Sequence, residues 1–180
     1  LLADPQIAKY GQNLKYDMNV LANYGVEISA KIHDTMLESY VLNSVASRHN
    51  MDDLALKYLG VSTVHFEDIA GKGAKQVTFN QIEIEKAGHY AAEDADITFR
   101  LHETLWPRLQ AESDLASVYS EIEIPLVPVL SRIEREGVLL DEAQLQIQSK
   151  DLEKRLSELE QEAFGLAGEE FNLGSPKQLQ

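Results

Sequence analysis

The chain has 180 residues, 44% of them hydrophobic, and it contains no cysteine. This length suffices for one core or for one domain and a fragment of another, and the lack of thiols excludes disulfides and thiolate metal sites. A net charge of −14 argues against a partner held by a broad basic surface, so binding to nucleic acid requires a local device. No apolar run is long enough to span a bilayer and no signal peptide is recognisable, so we expect a cytoplasmic protein.

Short alternating elements are predicted in the first half of the chain. A weak strand over residues 7–12 precedes a brief helix that ends near Gly25. A second helix begins near Asp34 or Thr35, both residue types that favour the N-cap, and a third covers "NMDDLALKYLG". The glycine-flanked "GKG" at 71–73 is typical of an exposed loop, and no Walker phosphate-binding pattern is present.

A long helix follows, and it carries an acid where an apolar residue is expected. The capping-box spacing of Asn80 and Glu83 predicts that it begins there and continues to Trp106, where Pro107 kinks or ends it. Asp94 interrupts its apolar stripe. The stripe consists of Ala87, Tyr90, Ala91, Thr98, Leu101 and Leu105.

Two explanations for Asp94 are open from this helix alone. Burying an unpaired carboxylate costs several kcal/mol, so a metal, a cation or a donor would accompany it. Alternatively, the helix is rolled so that Asp94 reaches water. Tyr90 lies four residues before Asp94, about 40° around the helix, so the phenol and the carboxylate share a face.

A second pair with this spacing, Asn13 and Asp17, lies just after the first predicted strand. An acid in the first turn of a helix is favoured by the helix dipole and can hold a hard cation through oxygen. Taken alone, this pair favours an ordinary first-turn acid at Asp17 over a metal ligand.

Together, Asn13-x-x-x-Asp17 and Tyr90-x-x-x-Asp94 resemble the second and third motifs of the DEDD nucleases, tyrosine subclass. The stretches "YGQNLKYD", "DTMLESYVLNS", "FNQI", "YAAEDAD" and "IPLVPVLSRIEREGV" extend the resemblance, from Ala8 to Gln180, to the proofreading domain of bacterial family A DNA polymerases and the start of their polymerase domain. The resemblance implies a mostly helical α/β fold. It consists of a truncated ribonuclease H-like 3′–5′ exonuclease domain at 1–112 and the opening polymerase helices at 113–180.

The resemblance also implies roles for individual residues. Asp94 would be a direct ligand of one divalent ion and Asp17 a water-mediated ligand of a second, with Mg²⁺, Mn²⁺ or Zn²⁺ as the metal. Tyr90 would orient the attacking water, and the product would be a deoxynucleoside 5′-monophosphate. The residues expected to grip the single-stranded 3′ end of DNA are Gln12, Asn13, Tyr16 and Arg48.

One motif of the family has no counterpart in this sequence. The first, an Asp-x-Glu on the opening strand, is expected before Leu1, and similar triplets here lie in helical surroundings. We therefore expect this chain alone to be inactive, and either to associate through exposed apolar faces or to be preceded by further residues. The alternative function is a decayed exonuclease domain that serves only as a scaffold for the polymerase, and an acidic helical adaptor is a third.

His89 offers a competing assignment, because its spacing to Asp94 is that of the histidine subclass of the same nucleases. On a continuous helix His89 lies about 140° from Asp94, whereas Tyr90 lies about 40° away. This geometry favours Tyr90 and predicts that His89 is exposed.

The last third of the chain is predicted to be helical. Two prolines, at 125 and 128, interrupt a helix that ends at Gly137, and Asp141 with Gln144 begins another that Gly168 ends. The tail over 171–180 is polar and turn-rich. Apolar residues at heptad spacing predict either a coiled-coil seam or packing on the preceding helix: Leu145, Leu152, Leu156, Leu159, Ala163 and Leu166.

Overall fold

The computed structural model describes residues 1–28, 31–45 and 48–178. The chain divides into two compact units, Leu1–Glu136 and Gly137–Gln180. Within the described residues, no helix is both long enough and apolar enough to cross a membrane.

The first unit contains a small parallel sheet. Strand β1 (Lys9–Gly11) pairs with β2 (Ile32–Asp34) so that Tyr10 lies opposite His33, and helix α1 (Leu14–Ala22) lies between them in sequence. The strand predicted over 7–12 is confirmed, as is the helix that stops before Gly25, which has a φ of 69°. The unit is therefore α/β but mostly helical.

In the described part of the first unit six further α-helices follow, and two of the connections between them are π-helical turns, at Ala55–Leu59 and Tyr119–Glu123. Asp34 caps α2 by accepting hydrogen bonds from the backbone N–H groups of Met36 and Leu37, which confirms the predicted helix start. The helices are α2 (Thr35–Leu42), α3 (Met51–Leu54), α4 (Phe66–Ala70), α5 (Ile84–Ala111), α6 (Ser113–Val118) and α7 (Ile124–Glu136).

Helix α5 differs from its prediction at both ends. The capping box is formed by Thr78 and Gln81 around a short 3₁₀ turn, so α5 begins at Ile84 and not at Asn80. At the other end the helix continues through Pro107 to Ala111. The cost of an internal proline, about 3 kcal/mol, is offset because leucines on both sides of it, at 105 and 109, are fully buried.

Two apolar clusters hold these elements together. In the first, Leu54 and Ala55 pack against the buried face of α5, formed by Ile97, Leu101 and Leu105. In the second, Leu14 of α1 packs with Ile32 of β2 and Val127 of α7. The first cluster anchors α5 and the second anchors α1, the two helices that carry the predicted motifs.

The second unit is dominated by α8 (Glu142–Ala167), whose N-cap Asp141 accepts a hydrogen bond from the Gln144 N–H at 3.0 Å. Gly168 ends the helix with a φ of 78°, as predicted, and turns follow up to residue 178. Residues 179 and 180 of the predicted tail lie outside the described residues. The five leucines of the heptad pattern are 51–84% exposed, and the packing predicted for this stripe stays a prediction.

Gly11 at the end of β1 has no space for a side chain. A Cβ at this position would lie 2.4 Å from Cγ of Leu14, a core residue. We expect Gly11→Ala to lower the free energy of unfolding by about 1–3 kcal/mol, the usual cost of overpacking, in denaturant titrations. Gly88→Ala is the matched control, because it lies in α5 with open space around it and is expected to stabilise by about 0.5–1 kcal/mol. Equal effects of the two changes would contradict the close packing at Gly11.

Candidate active site

The turn between β1 and α1 is built around the buried carboxylate of Asp34, which is 1% exposed. Asn13 has a left-handed backbone (φ 62°, ψ 50°), a conformation that asparagine tolerates better than most residues. This turn directs the N–H groups of Asn13 and Leu14 at Asp34, at 3.1 and 2.8 Å. The start of α1 is therefore tied to the end of β2, and Asp17 is placed one turn further on.

Asp17 lies in the first turn of α1 and lines a cavity of about 490 Å³. Partial desolvation, followed by repulsion from Asp34, raises the pKa of the Asp17 carboxyl above its ordinary value. A nearby cation would stabilise the charged form of a carboxylate in this setting.

Asp94 reaches the same cavity from α5. It is half-buried, its Oδ1 atom has no hydrogen-bond partner in the described part of the chain, and burial, followed by repulsion from Asp52 and Glu93, raises its pKa. Tyr90 and Asp94 lie together, as their spacing predicted, and are linked by a side-chain hydrogen bond; burial, followed by the charge of Asp94, raises the pKa of Tyr90 to about 12. The carboxylate on the apolar stripe is thus paired with a phenol on one side and lacks a partner on the other.

The Tyr90 ring is held by aromatic neighbours. Phe66 of α4 and Phe79 of the 3₁₀ turn both lie with ring centroids 6.2 Å from it. His89 next to it is exposed, as the helical spacing predicted. The structure therefore places the phenol, and not the imidazole, beside Asp94.

Lys9 is the cation that lines this cavity among the described residues, but it does not neutralise the acids. Its Nζ donates to the carbonyls of Asp4 and Ile7, at 2.5 and 2.7 Å. Two oxygen-donor acids with raised pKa values, one with an unpartnered buried oxygen, fit the preference of Mg²⁺ and Mn²⁺ for carboxylate ligands. No group of three acids or histidines close enough to hold one ion includes them in the described part of the chain.

The predicted DNA-gripping residues are placed unequally around the cavity. Gln12 lines it, and its side-chain amide donates to the His49 carbonyl at 2.7 Å. Asn13 lies beside Gln12 in the turn. Tyr16, which is 65% exposed, and Arg48, which is also exposed, do not line the cavity. The structure groups Gln12, Asp17 and Asp94 directly and leaves Tyr16 and Arg48 at the surface.

Sequence reasoning missed two acids that act on this site. Asp34 was recognised only as a helix cap, although it also organises the turn before Asp17. Asp52 of α3 accepts hydrogen bonds from Thr63 and His65 and adds negative charge near Asp94. In the sequence, Asp52 is recognisable only as an acid in the first turn of a helix. This position does not indicate that it lies near Asp94, which is more than forty residues away in the chain.

Comparisons with known proteins decide the family. The family model described as 3′-5′ exonuclease matches residues 1–110. The chain belongs to the 3′–5′ exonuclease family. Within this family, the chain is similar over 99% of its length to two curated relatives named DNA polymerase I, at 62% identity in Pseudomonas aeruginosa and 48% in Rhizobium leguminosarum.

Each of these two relatives is much longer than this chain. The chain spans 20% and 17% of those two DNA polymerases. Among solved structures it resembles the polymerase domain of Pol1 from M. smegmatis in complex with DNA primer-template and dNTP, with a TM-score of 0.79 and 26% identity over 99% of this chain and 28% of that one. The family match ends at residue 110, whereas the similarity to the longer relatives covers 99% of the chain.

Proposed function

We propose that residues 1–112 form part of a proofreading 3′–5′ exonuclease domain with a truncated ribonuclease H-like fold, and that residues 113–180 open the polymerase domain of a larger DNA polymerase I. The observation that carries this proposal is the convergence of Asp17 and Asp94, from two different helices, on one cavity. The unpartnered Asp94 Oδ1 supports a role in holding a cation. We accordingly expect the parent enzyme in the bacterial cytoplasm, where its DNA substrate lies.

Each acid has a distinct part in this proposal. Asp94 would hold one divalent ion directly and Asp17 a second one through water, with Mg²⁺ as the expected metal and Mn²⁺ or Zn²⁺ as substitutes. When bound, such a pair of ions activates water and offsets charge on the attacked phosphate. The Tyr90 hydroxyl, hydrogen-bonded to Asp94 and fixed by Phe66 and Phe79, positions the water for attack. Release of deoxynucleoside monophosphates from a 3′ end follows.

DNA is held locally in this scheme, which is how a chain with a net charge of −14 binds a polyanion. The exposed ring of Tyr16 is available to stack on a base, and the exposed guanidinium of Arg48 is available to contact a phosphate. Gln12 and Asn13 lie closer to the acids and suit hydrogen bonds to the terminal nucleotide.

The 180-residue chain by itself is expected to show no exonuclease activity above a metal-free control. The two acids of the cavity leave water and phosphate poorly aligned, and each 1.4 kcal/mol of lost transition-state stabilisation slows a reaction about tenfold. The assay offers a labelled single-stranded oligonucleotide with Mg²⁺ or Mn²⁺ to the chain and, in parallel, to the full parent enzyme. The parent is expected to release monophosphates stepwise from the 3′ end.

Two outcomes would contradict the proposal. Robust release by the 180-residue chain would mean that its own residues supply a complete site. A parent that polymerises but does not degrade the 3′ end would favour the alternative function, an exonuclease domain retained only as a scaffold for the polymerase.

A further inference from the structure

A buried cluster of metal-ligating side chains lies apart from the exonuclease cavity. His33 of β2, Glu38 of α2 and His102 of α5 each offer one ligand atom, and these atoms lie within 4.8 Å of one another. The three residues are 4%, 0% and 8% exposed. None of the three lines the cavity that contains Asp17 and Asp94.

Hydrogen bonding within the protein does not satisfy this cluster. His102 Nδ1 lies 2.6 Å from Glu38 Oε1, and Tyr119 donates to the same oxygen at 3.5 Å. Among the described residues, the second oxygen, Glu38 Oε2, and His33 Nδ1 are both buried without a hydrogen-bond partner. Most buried polar atoms in proteins are hydrogen-bonded, so two orphaned atoms that belong to one cluster need an explanation.

We propose that His33, Glu38 and His102 bind a transition-metal dication of the Zn²⁺ class. In a tetrahedral site with bonds of about 2.0–2.2 Å, neighbouring ligand atoms lie about 3.3 Å apart. His33 Nδ1 is 3.6 Å from Glu38 Oε1, close to that spacing, and the shorter Glu38–His102 contact lengthens when a cation replaces the shared proton. Two imidazoles and one carboxylate form a ligand set that zinc commonly uses and that Mg²⁺ does not favour.

The surroundings suit such an ion. The Tyr10 and Trp106 rings lie 4.5 and 6.0 Å from the His102 ring and limit access of water. A second cavity, of about 360 Å³ and lined by His33, Trp106 and Tyr119, provides an approach and space for a fourth ligand such as water.

The test titrates the metal-stripped chain with Zn²⁺ against a chromophoric chelator, in excess Mg²⁺ to saturate weaker carboxylate sites. We expect one tight equivalent per chain, and a loss in affinity of about 100-fold or more for His33→Phe and for His102→Gln, beyond the roughly 10–100-fold typical of outer-shell changes. His89→Gln, on an exposed histidine, is the matched control and should bind as the unaltered chain does. The double variant Asp17→Asn/Asp94→Asn should also retain the site.

Three results would overturn the proposal: no tight equivalent, unchanged affinity in His33→Phe, or loss of the site in the double variant, which would assign the ion to the exonuclease cavity. Histidine ¹⁵N spectra of the unaltered chain make the test independent of whether the core variants fold. Zn²⁺ should shift the Nδ1 signals of His33 and His102 and leave those of His89 in place. Unshifted Nδ1 signals of His33 and His102 would refute the site.

Discussion

Asp94→Ala in the parent polymerase is expected to reduce hydrolysis of a mispaired 3′ end by about 10³-fold or more, equivalent to about 4 kcal/mol of transition-state stabilisation. Nucleotide incorporation should remain close to that of the unaltered enzyme. The reason is the setting of Asp94, which is half-buried in the cavity with Oδ1 unpartnered and is the acid best placed to hold an ion directly. The measurement is single-turnover degradation of a labelled mispaired primer at one metal concentration.

Thermal unfolding of the same variant distinguishes a catalytic role from a structural one. A desolvated carboxylate that lacks a partner for one oxygen contributes little to stability, since burial raises its pKa. Asp94→Ala should therefore leave the melting temperature nearly unchanged while activity is lost. If the variant lowers only stability and hydrolyses normally, Asp94 is a tolerated core acid and the metal-holding role is wrong.

Two variants at neighbouring positions are expected to reduce hydrolysis less than Asp94→Ala does. Tyr90→Phe keeps the ring against Phe66 and Phe79 and removes only a hydroxyl hydrogen-bonded to a carboxylate, worth about 1.5–3 kcal/mol, so we expect a loss of roughly 10–100-fold. His89→Ala alters an exposed side chain and should have little effect. The reverse order, with His89→Ala as damaging as Asp94→Ala and Tyr90→Phe silent, would replace the tyrosine assignment by the histidine-subclass one.

Local patterns in the sequence predicted the parts of the fold that local chemistry determines. Asp34 as a helix cap, Gly25, Gly137 and Gly168 at chain turns, and the shared face of Tyr90 and Asp94 all follow from a few neighbouring residues. The predicted start of α5 was wrong because two competing capping signals overlap near residue 80. At Pro107, burial of distant leucines outweighs the local preference to end the helix.

Long-range contacts were beyond the reach of these patterns. The cluster of His33, Glu38 and His102 unites residues up to 69 positions apart, and no periodicity connects β2 with the middle of α5. Packing of Val127 from α7 on Leu14 of α1 is likewise a contact between distant segments. Only the family resemblance predicted that the two nuclease motifs belong to one site. The shared cavity of Asp17 and Asp94 is consistent with that prediction.

Asp34→Ala is expected to be the most destabilising single change in the first unit, lowering the free energy of unfolding by about 3 kcal/mol or more. The Asp34 carboxylate accepts four backbone N–H groups, from the starts of two helices. Each buried donor left without a partner costs about 1–3 kcal/mol, reduced here by relief of the desolvated charge. The donors are those of Asn13, Leu14, Met36 and Leu37, at 2.8–3.4 Å.

Asn50→Ala is the matched control, since Asn50 caps α3 through one bond, from the Asp53 N–H at 2.8 Å, at an exposed position, and such a cap contributes about 1 kcal/mol. Asp34→Asn should fall between the two, because Oδ1 accepts three of the four bonds and an amide in place of Oδ2 faces the Leu14 N–H as a second donor. Denaturant unfolding of the three variants at pH 7 measures this order. If Asp34→Ala costs no more than Asn50→Ala, Asp34 does not hold the start of α1, and the position of Asp17 must depend on the packing of Leu14 alone.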